Sequence, residues 1–465
     1  MAITMKKQSV TRRRFLKQAA KTSGACAGFS LVSQMAPLLA APSSDAVLEH
    51  PLASKQPHFE PKAKRVIMVF LTGGVSHIDS FDPKPEVNRR AGEASRNGKK
   101  KIIGSLWKHA PRGKSGIETT ELFRHLNAHV DDMCFIRSMH SDFGDHFAAT
   151  LHMHTGSNGS ALPGIGAWVS FGLGTDNINL PSSIVFAKNL PYAGAQVWDS
   201  NFLPAYHQGV RLNPGDQLIA NLEPQASNPW PLQSRELALL DQVNQNHAAL
   251  HPHLNELAAR NLSFRTATSL QRVAPDLFDL KGESDATLDL YGIERGDRQS
   301  FGWQTLMARR LVENGVRFVE LFDTGASDNW DLHSRNERNT ELAEYVDRPI
   351  AGLLADLKQR GMLEDTLVIG CSEFGRTPYG GTGRGHQRQV FTCWLAGGGV
   401  KGGHVHGASD ELGARIAEDP VHVHDFHATI LSLLGFDHER LTFRQGGRDF
   451  RLTGLAGDVV TDLIA

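Results

Sequence analysis

The sequence predicts an α/β fold: a mostly parallel central sheet flanked by helices, with a helical insertion. Three observations carry this expectation. Short β-branched apolar runs, each of a length that suits a buried strand, recur along the chain. Segments of helical period lie between them and close on glycine, as in "ELAEYVDRPIAGLLADLKQRG" and "DFHATILSLLG". Acidic, basic and histidine residues gather beside the apolar runs, and a parallel sheet places its ligands at the carboxyl ends of its strands.

The chain has 465 residues, and its start is unlike the rest. "TRRRFLK" (Thr11 to Lys17) precedes the weakly apolar "AAKTSGACAGFSLVSQMAPLLAA", with small residues at Ala40 and Ala41. A basic start, a modest apolar stretch and small residues make a cleavable export signal over residues 1–41. Arg12 and Arg13, followed by Phe15, Leu16 and Lys17, resemble a twin-arginine signal, which is read by a receptor and is not an anchor. That resemblance implies the twin-arginine translocation machinery as a partner and a periplasmic or extracellular destination. Residues 42–62, rich in proline and polar side chains, read as a linker. Residues 63–465 read as the α/β domain, in which the strand-poor stretch from about 231 to 312 is a helical insertion.

Removing the seven basic residues of the signal leaves 42 basic against 50 acidic side chains, which argues against nucleic acid as a partner. The one dense basic cluster, "RNGKKK" (Arg96 to Lys101), reads as a solvated loop. No later run reaches the roughly 18 apolar residues of a membrane helix, so no transmembrane anchor is expected. Cys134, Cys371 and Cys393 are odd in number and sit in apolar strand contexts; they read as buried thiols.

The first apolar run, "RVIMVFL", leads into "TGGVSHIDSFDPKP", which offers His77, Asp79 and Asp82. "MCFIRSM" leads into "HSDFGDHF", and "VRFVELF" into "DTGASDNWDLHSRN", where Asp323 stands at the strand exit and Asp331 and His333 are two apart. "TLVIGCS" leads into "EFGRTP", with Glu373 and Arg376, while "GRGHQ" sets His386 before "VFTCWLAG". Carboxylate oxygen and neutral imidazole suit divalent metals, which makes His77, Asp79, Asp323, Asp331, His333, Glu373 and His386 candidate ligands. The planar fork of Arg376 suits an anionic substrate group. Capping aspartates, a surface salt bridge and a glycine turn are the plain alternatives for the same residues. "HVHG" (His404 to Gly407) and "HVHDFH" (His422 to His427) have no nearby carboxylate set and are not taken as ligands. "HSDFGDHFAATLHMHTG" (His140 to Gly156) holds four histidines, but His152 and His154, two apart, cannot share a helix face.

Taken in order, "FLTGGVSHIDSFDPKP", "DHFAATLHMHTG", "WDLH", "TLVIGCSEFGRTP", "GRGHQ" and "DFHATILSLLGFD" resemble the alkaline phosphatase and sulfatase superfamily. Within it they are most similar to the exported bacterial domain of unknown function 1501 family. The resemblance covers nearly all of Arg65 to Leu434 and implies an alkaline phosphatase-like fold with divalent metal (zinc, calcium or manganese) at the active edge. It implies a first metal site of His333 and His386 with Asp331 or Asp323, since Asn329 stands where an aspartate is usual. For a second site it implies Glu373, with Phe374 in place of the usual histidine and His77 or Asp79 displaced. A one-metal or rearranged site is therefore expected. The nucleophile position falls nine residues before Thr155, on His146, where no Ser, Thr or Cys stands. Nucleophile, general base and ligand all stay open for His146.

The function expected is an exported metal-dependent hydrolase acting on a small anionic ester or a sulfated or phosphorylated saccharide. The alternative is a catalytically inactive binding or assembly protein with partners in the cell envelope, haem-bearing proteins among them. The chain has no C-x-x-C-H haem attachment of its own.

Overall fold

The computed structural model describes residues 50–465 except 96–97, 158, 161, 216–217, 220–221, 223–227 and 252–253. The predicted export signal and the start of the linker lie outside the described residues. The rest falls into two compact units: residues between Pro224 and Asn261 belong to one, and Glu49–Glu223 with Leu262–Ala465 make the other.

Nine strands build the central sheet of the larger unit: β1 (Arg65–Phe70), β2 (Met133–His140), β3 (Ser183–Phe186), β4 (Val210–Leu212), β5 (Phe318–Phe322), β6 (Thr366–Cys371), β7 (Phe391–Ala396), β8 (His404–His406) and β9 (Val421–His422). Their order is β8-β2-β7-β6-β1-β5-β3-β4, with β9 also paired to β2. β1 pairs in parallel with β5 and β6, and β3 with β4 and β5. β7 runs antiparallel to both of its neighbours, β6 and β2. Its reversal has a consequence for the site. "GRGHQ" precedes β7, yet it reaches the edge where β1, β2, β5 and β6 end.

Besides the short helix Pro85–Arg89, the helices of the described residues are α1 (His146–Thr155), α2 (Ile165–Leu173), α3 (Trp230–Leu250), α4 (Asn255–Leu277), α5 (Asp285–Tyr291), α6 (Phe301–Glu313), α7 (Asn339–Gln359) and α8 (Val423–Leu433). Successive residues of a strand point to opposite faces, and β1 shows both cores. Ile67 and Val69 pack with α6 and α7, whereas Val66, Met68 and Phe70 pack with α1, α2 and α8. A strand covered on both faces is largely apolar, which is why the short β-branched runs show no regular polar alternation; the buried Glu320 of β5 is an exception. The smaller unit holds α3, which has no buried side chain; Asn261 Nδ2 donates to the Asn244 carbonyl at 3.1 Å. Cys134, Cys371 and Cys393 are buried and free. No helix of the described residues is long and apolar enough to cross a membrane.

A hairpin, Gly375–Gly380 with Arg384–Gln387, follows β6 and leads into β7. Arg384 fastens it to the loop after β1. Its Nε and one terminal nitrogen reach the two oxygens of Asp79 at 2.6 and 3.0 Å, and both side chains are buried. Burial pushes the Asp79 carboxyl up, but the Arg384 guanidinium and the Ser76 hydroxyl outweigh it and hold it below the usual range. Removing one partner of a buried pair strands the other charge in a low-dielectric interior. Asp79→Ala is therefore expected to destabilise the fold by about 3–5 kcal/mol, read from the shift of a urea denaturation curve. An unchanged midpoint would show that the pair contributes nothing net.

Candidate functional site

Asp331 sits between β5 and the hairpin, and its Oδ1 is approached from four directions. Arg376 donates to it at 2.6 Å, His333 Nε2 lies at 3.0 Å, and the Nε2 atoms of His146 and His386 each lie at 3.2 Å. His146 is the first residue of α1, where Asp145 caps the helix by accepting from the Ala148 N–H. His386 comes from the hairpin and His333 from the loop after β5. His146, Asp331 and His386 each bring one ligand atom within 4.8 Å of the others.

Partners fix the tautomers. His386 Nδ1 lies 2.8 Å from the carbonyl oxygen of Gly144, which can only accept, so Nδ1 carries the proton. His146 Nδ1 lies 2.6 Å from Glu373 Oε1 and donates to it. The neutral rings then turn two Nε2 lone pairs toward Asp331, itself an acceptor. His146 Nε2 is buried with no hydrogen-bond partner. Of the three Nε2 atoms around Asp331 only that of His333, 2.9 Å from His386 Nε2, is left to offer a proton, and the His333 side chain is 56 % exposed. Burial lowers the pKa of His146, but the carboxylates of Asp331 and Glu373 beside it more than reverse this and raise it. Burial also lowers that of His333, only partly opposed by Asp331. The Asp331 carboxyl is raised by burial, yet His146, His386 and Arg376 together hold it far below the ordinary range.

Glu373 is fully buried. It accepts from the Gly73 N–H at 2.9 and 3.1 Å and from Ser372 Oγ at 3.0 Å, besides His146. The Gly73 turn is needed for this: its φ is +111°, and a Cβ there would stand 2.7 Å from Asn329 Oδ1 and from the Asp331 nitrogen. Arg376, expected to clamp a substrate anion, is buried and already engaged. It donates to the carbonyl oxygens of Gly74 at 2.8 Å, Arg384 at 3.2 Å and Gly73, as well as to Asp331. It positions Asp331.

Three other expected ligands lie elsewhere. His77 is buried with Nε2 2.9 Å from the Gly413 carbonyl oxygen, and Asp79 is bound to Arg384. Asp323 accepts from the Thr72 N–H at 3.0 Å and from Trp330 Nε1 at 2.7 Å. Each was plausible from its place after a strand, but each side chain turns into the protein; Asp79 and Asp323 are bonded there, while His77 keeps its buried Nδ1 without a partner. His152 and His154 do face apart, as their spacing requires: His154 Nε2 meets the buried Glu320 of β5 at 2.7 Å.

Tyr192 and Asn329 complete the site and were not among the sequence candidates. The Tyr192 ring stacks on His146 with centroids 4.2 Å apart, and Asn329 Nδ2 donates to its hydroxyl at 3.1 Å. Tyr192 follows β3, whose exit "KNLPYAG" offers an aromatic and one lysine, Lys188, but no acid or histidine, so a search for metal ligands passes over it. Phe374 packs on His146 and His386 at 4.8 and 4.6 Å between ring centroids.

A family model described as "Protein of unknown function (DUF1501)" matches residues 63–464. The chain belongs to this family. No curated protein matches it. Among solved structures, the DUF1501 chain is similar to an alkaline phosphatase superfamily protein from Vibrio parahaemolyticus, at 10% identity and a TM-score of 0.38, covering 88% of this chain and 75% of that one. It is also similar to the sulfatase PsFucS1 from Pseudoalteromonas sp., at 13% identity and a TM-score of 0.36, covering 81% and 68%. A third is the lipoteichoic acid synthase LtaP from Listeria monocytogenes, at 10% identity and a TM-score of 0.37, covering 87% and 78%.

Burial pushes the Asp323 carboxyl up to about 6 despite its hydrogen bonds. An unfolded aspartate titrates near ~3.9, so the folded state holds this proton more tightly. The contribution is complete below the unfolded value and is lost as pH rises through about 6. The stability of the wild type relative to Asp323→Asn should fall across that window and level off above it. Paired urea curves at several pH values check this; a difference independent of pH would contradict it.

Proposed function

We propose that this family member is an exported metal-dependent hydrolase of phosphate or sulfate esters, on small anionic esters or modified saccharides. The single observation that carries it is the convergence of His146 Nε2, His386 Nε2 and Asp331 Oδ1, acceptors with their ring protons committed elsewhere. Such a set is complementary to a cation. His146, His386 and Asp331 would hold one divalent ion, with Glu373 and the Gly144 carbonyl orienting the two imidazoles from behind. The ion, when bound, supplies positive charge for an ester oxyanion and acidifies water.

The chain's own groups define the rest. Thr150, one turn into α1, is fully buried, and the Ser141 hydroxyl, also buried, is occupied by His152 Nδ1 at 3.2 Å. Burial raises the Cys371 thiol well above its usual range. No side-chain hydroxyl or thiol among these is free to attack, which favours water as the nucleophile. His333, exposed and held neutral, takes the proton that water gives up, and Tyr192 walls the site beside His146. Export by the twin-arginine route is part of the same proposal and rests on Arg12, Arg13 and the apolar stretch behind them.

Metal analysis by mass spectrometry, with turnover of a panel of phosphate and sulfate esters, tests the reading. His386→Ala should lose both the ion and turnover. His333→Ala should keep the ion and lose about 10²–10⁴ in rate, the usual worth of a general base. Glu373→Gln should weaken metal affinity about 10–100-fold, as loss of an orienting carboxylate does. A wild-type protein that is metal-free and inert toward every ester overturns the proposal and leaves the envelope-binding reading.

A further inference from the structure

A second group of imidazoles lies outside this site, where the end of α1 meets the start of α8. His152, in the last turn of α1, faces His422 and His424, and each of the three offers one ring nitrogen within 4.8 Å of the others. Ring centroids are 5.1 Å apart for His152 and His424, 5.3 Å for His152 and His422, and 4.9 Å for His422 and His424. No carboxylate belongs to the group, and on that ground the sequence motif "HVHDFH" was set aside as a ligand source.

The structure removes that objection. His424 Nε2 lies 2.9 Å from the carbonyl oxygen of Gly156, so it carries the proton and Nδ1 keeps a lone pair. That Nδ1 is buried and has no hydrogen-bond partner. His152 is buried, and its Nδ1 meets the Ser141 hydroxyl at 3.2 Å. His422 Nδ1 accepts from the His424 N–H at 3.2 Å, a single neutral contact, and its Nε2 lies 3.4 Å from Asp142 Oδ2. The Asp425 carboxylate accepts from the His422 N–H at 2.8 Å. Asp142 and Asp425 thus supply negative charge beside the imidazoles without entering the group.

We propose that His152, His422 and His424 form a second cation site, selective for a borderline transition metal such as zinc. Hard cations such as Mg²⁺ and Ca²⁺ require oxygen ligands that these residues do not provide. The site is independent of the hydrolytic reading, since it shares no ligand with it. Because α1 carries His146 at its first residue and His152 in its last turn, an ion here clamps the far end of the helix that enters the first centre.

The test is metal stoichiometry on the full chain, stripped of metal and titrated with Co²⁺ as the spectroscopic probe for zinc. Wild type should bind one equivalent that is lost in His424→Gln and in His152→Gln but retained in His386→Ala. Mg²⁺ in large excess should not displace it, and ester turnover should survive His424→Gln. Two different substitutions guard against one that merely fails to fold, and circular dichroism checks both. Cobalt uptake that is equal in wild type, His152→Gln and His424→Gln overturns the inference. An equivalent lost only in His386→Ala belongs to the first centre, so the two readings fail separately.

Discussion

One carboxylate oxygen, Asp331 Oδ1, sets the geometry on which the site depends. Arg376 is its one obligatory donor, since guanidinium has protons on every nitrogen and no lone pair to offer. The three histidines around it have each another partner or an exposed face. The charges do not balance by themselves. Asp331 and Glu373 are two carboxylates, and Arg376 is the single permanent cation touching either of them. In a partly dehydrated pocket an uncompensated negative charge is costly, and it can be offset by a proton on His146 or by a bound cation. The same two carboxylates raise the pKa of His146 against its burial.

That oxygen is placed by topology. Asp331 follows β5, Glu373 follows β6 and His146 follows β2, and these strands run the same way, so their ends share one edge. His386 would sit at the opposite edge if β7 were parallel. The reversed β7 returns the chain from the hairpin, and the buried Asp79–Arg384 pair holds the hairpin against the loop after β1. Arg376 then ties the same loop, through the Gly73 and Gly74 carbonyls, to Asp331. The two buried arginines thus do what a disulfide framework does elsewhere, while the buried thiols stay unpaired.

The strands and their exits were legible because a sheet covered on both faces writes itself as short apolar runs, and β1, β2, β5 and β6 all announce themselves so. The shortest strands, β4, β8 and β9, did not, because two or three residues on an edge carry no period. At the site, the residue types were legible and their roles were not. Glu373 and Asp79 are both acids after a strand, yet one orients an imidazole and the other locks a guanidinium, and only the long-range partner decides. In "HVHDFH", His422 and His424 meet His152, an imidazole about 270 residues earlier in the sequence, a proximity that no local pattern shows.

His146, Glu373 and Phe374 gain a common physical sense from their packing. Phenylalanine at 374, where the resemblance implies a metal-binding histidine, places a hydrocarbon ring against His146 and His386 and cannot take a ligand role. The acid beside it is then free to turn inward, where Gly73, Ser372 and His146 use all of its capacity. A helix start favours anions and disfavours a cation, so a histidine as the first residue of α1 needs negative partners to compensate. Glu373 and Asp331 provide them on the two nitrogens of one ring. His146 and the inward Glu373 are thus bound to each other at 2.6 Å, with Phe374 packed on the His146 ring.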